Sequence, residues 1–313
     1  MVIGNRVLLP LTKRYYNARY RKVLHPELRE EIIAHNCYCE EVNSKLHFDD
    51  EKIDPGISLK TAVPSYDKHV MLISDINRGM AKKPGVWKNI WESRIENNTT
   101  HPYDIISKLN FGPGVLFNAI SITSSLESFA PTSLEFYDFL VMPDMRYYRV
   151  KKPDIEKFSQ YINSGHAVAP KLSFSDYLSG KAAATTVSNN NQITLSLDDS
   201  IYYRELKNDA WLFVCGHEKR DMRCGIMGPE ILHSVNTANS KPLVNNTGII
   251  SHIGGHKFAG NILIYKPIEN QNGRKKVDSL WFGKVTPFNV SEIVQSVNEG
   301  VIIENNFRGG LSL

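Results

Sequence analysis

The sequence predicts an α/β protein built from two related halves. Three observations support this. Short apolar runs of strand length alternate with segments of helical periodicity. The order strand, helix, three strands, helix occurs twice. A small, polar, Asn-rich stretch from Lys181 to Gln192 (KAAATTVSNNNQ) lies between the two occurrences and reads as a linker or exposed loop.

In the first half, His69 to Ser74 (HVMLIS) is a strand, Pro102 to Leu109 a helix and Gly114 to Ile122 a strand. Leu134 to Met142 and Met145 to Val150 form a hairpin through Pro143-Asp144. Asp154 to Ile162 is a helix that Asp154 is placed to cap. In the second half, Ala210 to Cys215 (AWLFVC) is a buried strand. Pro229 to Val235 starts a helix, with the proline near its first turn. Gly248 to Ser251, Asn261 to Lys266 and Ser279 to Val285 are strands, the last two joined by the loop Glu269 to Lys275. Val290 to Val297 is a closing helix, apolar at Val290, Ile293, Val294 and Val297. Each half therefore reads as an α/β unit of the thioredoxin type. The divisions are 1–26 as a leader, 27–180 as the first half, 181–205 as linker and 206–313 as the second half.

A length of 313 residues suits about two domains and gives a core that needs no disulfides. Apolar residues make up 42% and charged residues 22%, which is ordinary for a globular chain. No apolar run approaches the ~18–20 residues of a membrane helix. The net charge of +4 is too small to argue for nucleic acid. Much of it lies in residues 1–26, where Arg6, Lys13, Arg14, Arg19, Arg21 and Lys22 precede the first acid, Glu27. With Val7, Leu8, Leu9 and Leu11 among them, this segment resembles a mitochondrial presequence.

The four cysteines fall in two groups, Cys37/Cys39 and Cys215/Cys224. That is too few for a secreted disulfide framework, and in a reducing compartment paired cysteines point to metal or redox chemistry. CGHEKRDMRCG spans Cys215 to Gly225, and SHIGGH spans Ser251 to His256. Each follows a predicted buried strand, and loops at the carboxyl ends of parallel strands converge on one sheet edge. Cys215, Cys224, His252 and His256 could meet there. Thiolate suits iron–sulfur clusters and zinc; imidazole suits zinc and iron. Gly216, Gly225, Gly254 and Gly255 would let the backbone approach a bulky inorganic core, and Arg220 and Arg223 could offset thiolate charge. Spacing alone leaves iron–sulfur and zinc both open. Cys37-Tyr38-Cys39 could be a second redox pair or plain packing, His217 an alternative ligand or a neighbour of one, and Asp221 a cap or a partner of Arg223.

CGHEKRDMRCG, HIGGHKFAGN (His252 to Asn261) and WFGKVTP (Trp281 to Pro287) resemble the sucrase/ferredoxin-like family in its fungal branch. NCYCEEVN at Asn36, APKLSFSDYLSGKA at Ala169 to Ala182 and FRGG at Phe307 add to the likeness, which runs from about Asn36 to the C-terminus. The resemblance implies that the second half is a thioredoxin-like ferredoxin. It implies a [2Fe-2S] cluster on Cys215, Cys224, His252 and His256, and a mitochondrial location in the matrix or intermembrane space. It does not imply sucrase activity, and no paired-carboxylate pattern argues for glycoside hydrolysis. The function expected is electron transfer or thiol redox quality control, with mitochondrial redox or import and assembly proteins as partners. The alternatives are a zinc-stabilised interaction module and a thiol oxidoreductase using Cys37 and Cys39. Two imidazoles in place of two thiolates make a cluster less negative, which raises its potential and couples it to protons.

Overall fold

The computed structural model describes residues 20–24, 29–47, 52–59, 63–73, 102–126, 129, 135–164, 186–188, 192–196, 199–218, 220–237, 244–268 and 276–313. The chain opens with strand β1 (Arg21–Val23) and helix α1 (Arg29–Ser44). Next come β2 (Lys68–Ile73), α2 (Pro102–Ile106), β3 (Val115–Ser124), β4 (Phe136–Met142), β5 (Arg146–Lys151) and α3 (Ile155–Asn163). Strands β6 (Thr186–Ser188), β7 (Gln192–Ser196) and β8 (Ile201–Glu205) follow. The second half runs β9 (Trp211–Cys215), α4 (Met222–Thr237), β10 (Asn246–Ile250), β11 (Ile262–Ile268) and β12 (Lys276–Phe282). It ends with α5 (Val290–Asn298), β13 (Val301–Ile303) and β14 (Phe307–Ser312).

The two halves pair their strands alike. β2 runs parallel to β3 and antiparallel to β4, which pairs antiparallel with β5. β9 runs parallel to β10 and antiparallel to β11, which pairs antiparallel with β12. The shared α/β plan is therefore present in topology as well as in element order. β3 and β10 pair antiparallel and fuse the halves into one 12-stranded sheet.

Strand alternation decides which side each residue serves. In β9, Leu212 and Val214 face a core shared with α1, α4 and α5, while Trp211, Phe213 and Cys215 face the other way. In β2, Val70 and Leu72 pack with Ile106, Phe158 and Ile162 of α2 and α3. Met71 and Ile73 instead join Trp211, Phe213, Leu263 and Trp281. The helices thus cover separate outer faces, and the inner faces of both halves make one common core. Cys215, Cys224 and Ile253 belong to that common core.

Several expectations need correction. The span 181–205 contains β6, β7 and β8; β8 pairs with β5, and β7 and β6 extend the sheet beyond it. The IYYRE run carries the aromatic alternation a strand needs: Tyr203 lies against Tyr148, and Arg146 reaches Glu205 at 3.2 Å. Tyr20 is buried, and β1 pairs parallel with β13, so this part of residues 1–26 is built into the second half. Asp154 stands at the N-cap of α3 but makes no side-chain cap hydrogen bond. Helix α4 begins at Met222, leaving Pro229 in its interior. Residues 1–19, the Ala169 to Ala182 motif and the Glu269 to Lys275 loop lie outside the described residues.

Candidate metal centre

Cys215 ends β9 and Cys224 sits in the first turn of α4. Asp221 caps that helix: its Oδ1 accepts the Arg223 backbone N–H at 3.0 Å. The same carboxylate holds the Arg223 guanidinium at 2.9 and 2.7 Å. Both side chains are buried, so Asp221 fixes where the helix starts and therefore where Cys224 lies. Replacing Asp221 by alanine would strand a buried guanidinium and remove the cap. The expected cost is about 3 kcal/mol, read by urea denaturation.

Close approach of helix to strand does the rest. A Cβ on Gly228 would lie 2.7 Å from the Cys215 carbonyl oxygen and 3.2 Å from Gly216 Cα. Both are backbone atoms and cannot swing aside. Gly228→Ala is expected to push α4 off β9 and cost ~1–3 kcal/mol, seen as a lowered Tm.

The two thiols are buried and within hydrogen-bonding reach of each other, and Cys215 is also within such reach of His252. The Cys224 hydrogen bond, helped by His252 and the His217 backbone, holds Cys215 well below the usual thiol range despite its burial. The same bond, with burial, pushes Cys224 well above it. The two thiols are therefore coupled, so that a proton held by Cys224 favours ionisation of Cys215.

His252 follows β10, and its backbone N–H donates to His217 Nδ1 at 3.1 Å. His217 is buried and orients the loop through that bond. Gly254 and Gly255 both take left-handed φ, +75° and +73°, which lets the loop double back within three residues. His256 starts a short 3-10 helix, His256–Phe258, while its side chain lies outside the described set. Gly216 and Gly225 have another role: a Cβ there would strike Ile249 or Glu218. Among the described side chains, no three His, Cys, Asp or Glu close on one point as a metal cage. The sulfur pair and the adjacent imidazole are nevertheless the soft and borderline donors an iron–sulfur cluster takes.

Sequence reasoning missed Arg308, noting only the FRGG motif that contains it. Arg308 in β14 is buried and lies under the His252 loop. It donates to the Gly254 carbonyl at 3.1 Å and to Asn261 Oδ1 at 2.9 Å. A Cβ on Gly255 would fall 2.5 Å from its guanidinium carbon, so only glycine fits over it. Burial lowers Arg308 from its ordinary range, and the charges of Cys215 and Cys224 oppose that fall. The positive charge facing the thiols thus includes Arg308, whereas Arg223 is already matched by Asp221 and Arg220 is exposed.

Cys37 and Cys39 lie in mid-helix on α1, Cys37 exposed and Cys39 buried. Residues two apart on a helix point to different faces, which opposes a disulfide between them. Burial, opposed by Lys284, pushes the Cys39 thiol up to about 11, away from a reactive thiolate.

The chain matches the family described as sucrase/ferredoxin-like over residues 59–309. The chain belongs to the sucrase/ferredoxin-like family. Altered inheritance of mitochondria protein 32 of Saccharomyces cerevisiae is 39% identical over 289 residues, covering 89% of this chain and 88% of the relative. The Saccharomyces kudriavzevii protein of that name is 37% identical over 303 residues, covering 94% of each. No solved structure matches. The sucrase/ferredoxin-like segment contains Cys215, Cys224, His252, His256 and Arg308, and it leaves out Cys37 and Cys39. No helix among the described residues is long and apolar enough to cross a membrane.

Proposed function

We propose that this chain is a mitochondrial [2Fe-2S] redox protein, ligated by Cys215, Cys224, His252 and His256, that serves electron transfer or thiol redox quality control. The observation that carries the reading is the buried, adjacent pair Cys215 and Cys224 beside His252, at the carboxyl ends of the neighbouring parallel strands β9 and β10, in a chain of this family. The mitochondrial part is supported by the relatives' name, altered inheritance of mitochondria protein 32, and by the basic, acid-free sequence of residues 1–19.

When bound, the cluster would supply a one-electron couple. The chain's own residues set how that couple behaves. Cys215 and Cys224 supply the anionic ligands, and Arg308 lies within electrostatic reach of both. The core around Cys215 and Cys224, with Ile253 and Trp281 in it, excludes water and sharpens these charge effects. His252 and His256 would each keep a proton on the ring nitrogen not bound to metal, and would release it more readily in the oxidised protein. The partners would be mitochondrial redox or import and assembly proteins.

The test is metal content, visible absorption and EPR on anaerobically purified, reduced protein. About two iron atoms and two sulfides per chain with a reduced-state EPR signal support the reading. One zinc per chain, with neither absorption nor EPR signal, would instead make the site a structural brace for an interaction module.

A further inference from the structure

His69 is wholly buried as the second residue of β2, KHVMLI, ahead of four apolar core residues. Both of its ring nitrogens are hydrogen-bonded, Nδ1 to the Tyr265 hydroxyl and Nε2 to Asn118 Oδ1 at 2.9 Å. Asn118, from β3, reaches across to the second half. Its Nδ2 donates to Ser251 Oγ at 2.7 Å and to the His252 carbonyl at 3.1 Å.

We propose that the first half positions the metal centre: Asn118 grips the His252 backbone, and His69 with Tyr265 locks Asn118 in the orientation that grip requires. This rests on the reading of His252 as a ligand.

Hydrogen-bond polarity makes the arrangement one-way. A carbonyl oxygen only accepts, so the Asn118 atom facing His252 must be Nδ2. Oδ1 then faces His69, whose Nε2 must carry the hydrogen. Burial holds the ring neutral, drawing its pKa down to about 3, so Nδ1 is bare and accepts from Tyr265. The Tyr265 oxygen can accept from Tyr66 at 3.1 Å, Tyr66 from Ser279, and Ser279 from Trp281 Nε1 at 3.0 Å. Every donor in the series points toward His252. Reversing one link would set two acceptors or two donors face to face in a dry interior, at a cost that keeps the series in one direction. Ser251 completes the anchor: the Ala119 N–H donates to its Oγ at 3.0 Å, and its own N–H donates to the Ala119 carbonyl at 2.8 Å. A packing role alone would be met by apolar residues at positions 69 and 118. A polar series that crosses between halves and ends on a ligand-bearing residue holds a peptide in place.

The experiment is hydrogen exchange by mass spectrometry on the full-length, metal-free chain, comparing Asn118→Ala, His69→Phe and His69→Gln with the unchanged protein. The glutamine amide in His69→Gln could still donate to Asn118 and accept from Tyr265. Peptides covering 251–255 are expected to exchange about tenfold faster in Asn118→Ala and His69→Phe, the size of one net hydrogen bond. His69→Gln should stay close to the unchanged protein, and strand 262–268 should be unaffected in all three. Unchanged exchange at 251–255, or faster exchange spread evenly over the whole sheet, would overturn the proposal. In the iron-loaded chain, Asn118→Ala should also shift the EPR signature; an identical spectrum counts against the grip. If the unchanged protein takes up no cluster, the ligand reading fails, while the exchange comparison still decides whether Asn118 holds the loop.

Discussion

Replacing His252 and His256 together by cysteine should lower the reduction potential on the order of 300 mV and flatten its dependence on pH. The size follows from ligand charge: Rieske-type centres lie roughly between −150 and +300 mV, while plant-type ferredoxins lie near about −400 mV. Each thiolate adds a negative charge that opposes the incoming electron. The pH effect has a separate origin. A ligating imidazole binds a proton more tightly in the reduced protein than in the oxidised one. Above the oxidised-state pKa, reduction takes up a proton and the potential falls with rising pH, by up to ~59 mV per unit for one proton per electron. Cysteine has no such proton, so the substituted protein should give a flat line where the unchanged one bends. Protein-film voltammetry from neutral to strongly alkaline pH checks both effects. A flat profile in the unchanged protein would remove the histidines from the ligand set.

Arg308→Met should show the second large effect. The substitution keeps most of the apolar stem while removing the charge and both hydrogen bonds. The Gly254 carbonyl and Asn261 Oδ1 lose their Arg308 donor. With the guanidinium also gone from its place against Phe258 and Trp281, a stability loss of about 2–3 kcal/mol is expected in urea denaturation. The potential should fall as well, because a positive charge near the thiolates favours the reduced, more negative state. Arg308→Lys should restore part of the potential but little of the stability, since the lysine ammonium sits on a shorter stem than Arg308 Nη1, which donates to both acceptors, and lacks the planar group that lies against Phe258 and Trp281. Equal potentials for Arg308→Met and the unchanged protein would show that the guanidinium acts on the loop alone.

The strands at the heart of both halves were legible because they are buried. HVMLI and WLFVC each carry an apolar run that two packed faces require. The convergence of Cys215, Cys224 and His252 was legible as well, since a Cys that ends such a strand, or a His-Gly-Gly-His loop directly after one, has an evident destination. The start of α4 was hidden by Pro229, the stronger local signal. The interior position of that proline follows from the Asp221 cap and its pairing with Arg223, which act upstream. Arg308 was out of reach for a different reason. Its partner Gly254 is 54 residues away, and only the closure of β14 on β12 brings them together. The same holds for Asn118 and His252, which meet because β3 and β10 pair across the two halves. No local spacing encodes an edge-to-edge pairing of that kind.

The most direct test of the account is Mössbauer spectroscopy on the anaerobically purified, oxidised chain grown on isotopically enriched iron. The short Gly254-Gly255 connection should place both histidines on one iron and both cysteines on the other. The expected result is two unequal quadrupole doublets of equal area. A single doublet from equivalent irons, or no iron signal at all, would contradict it.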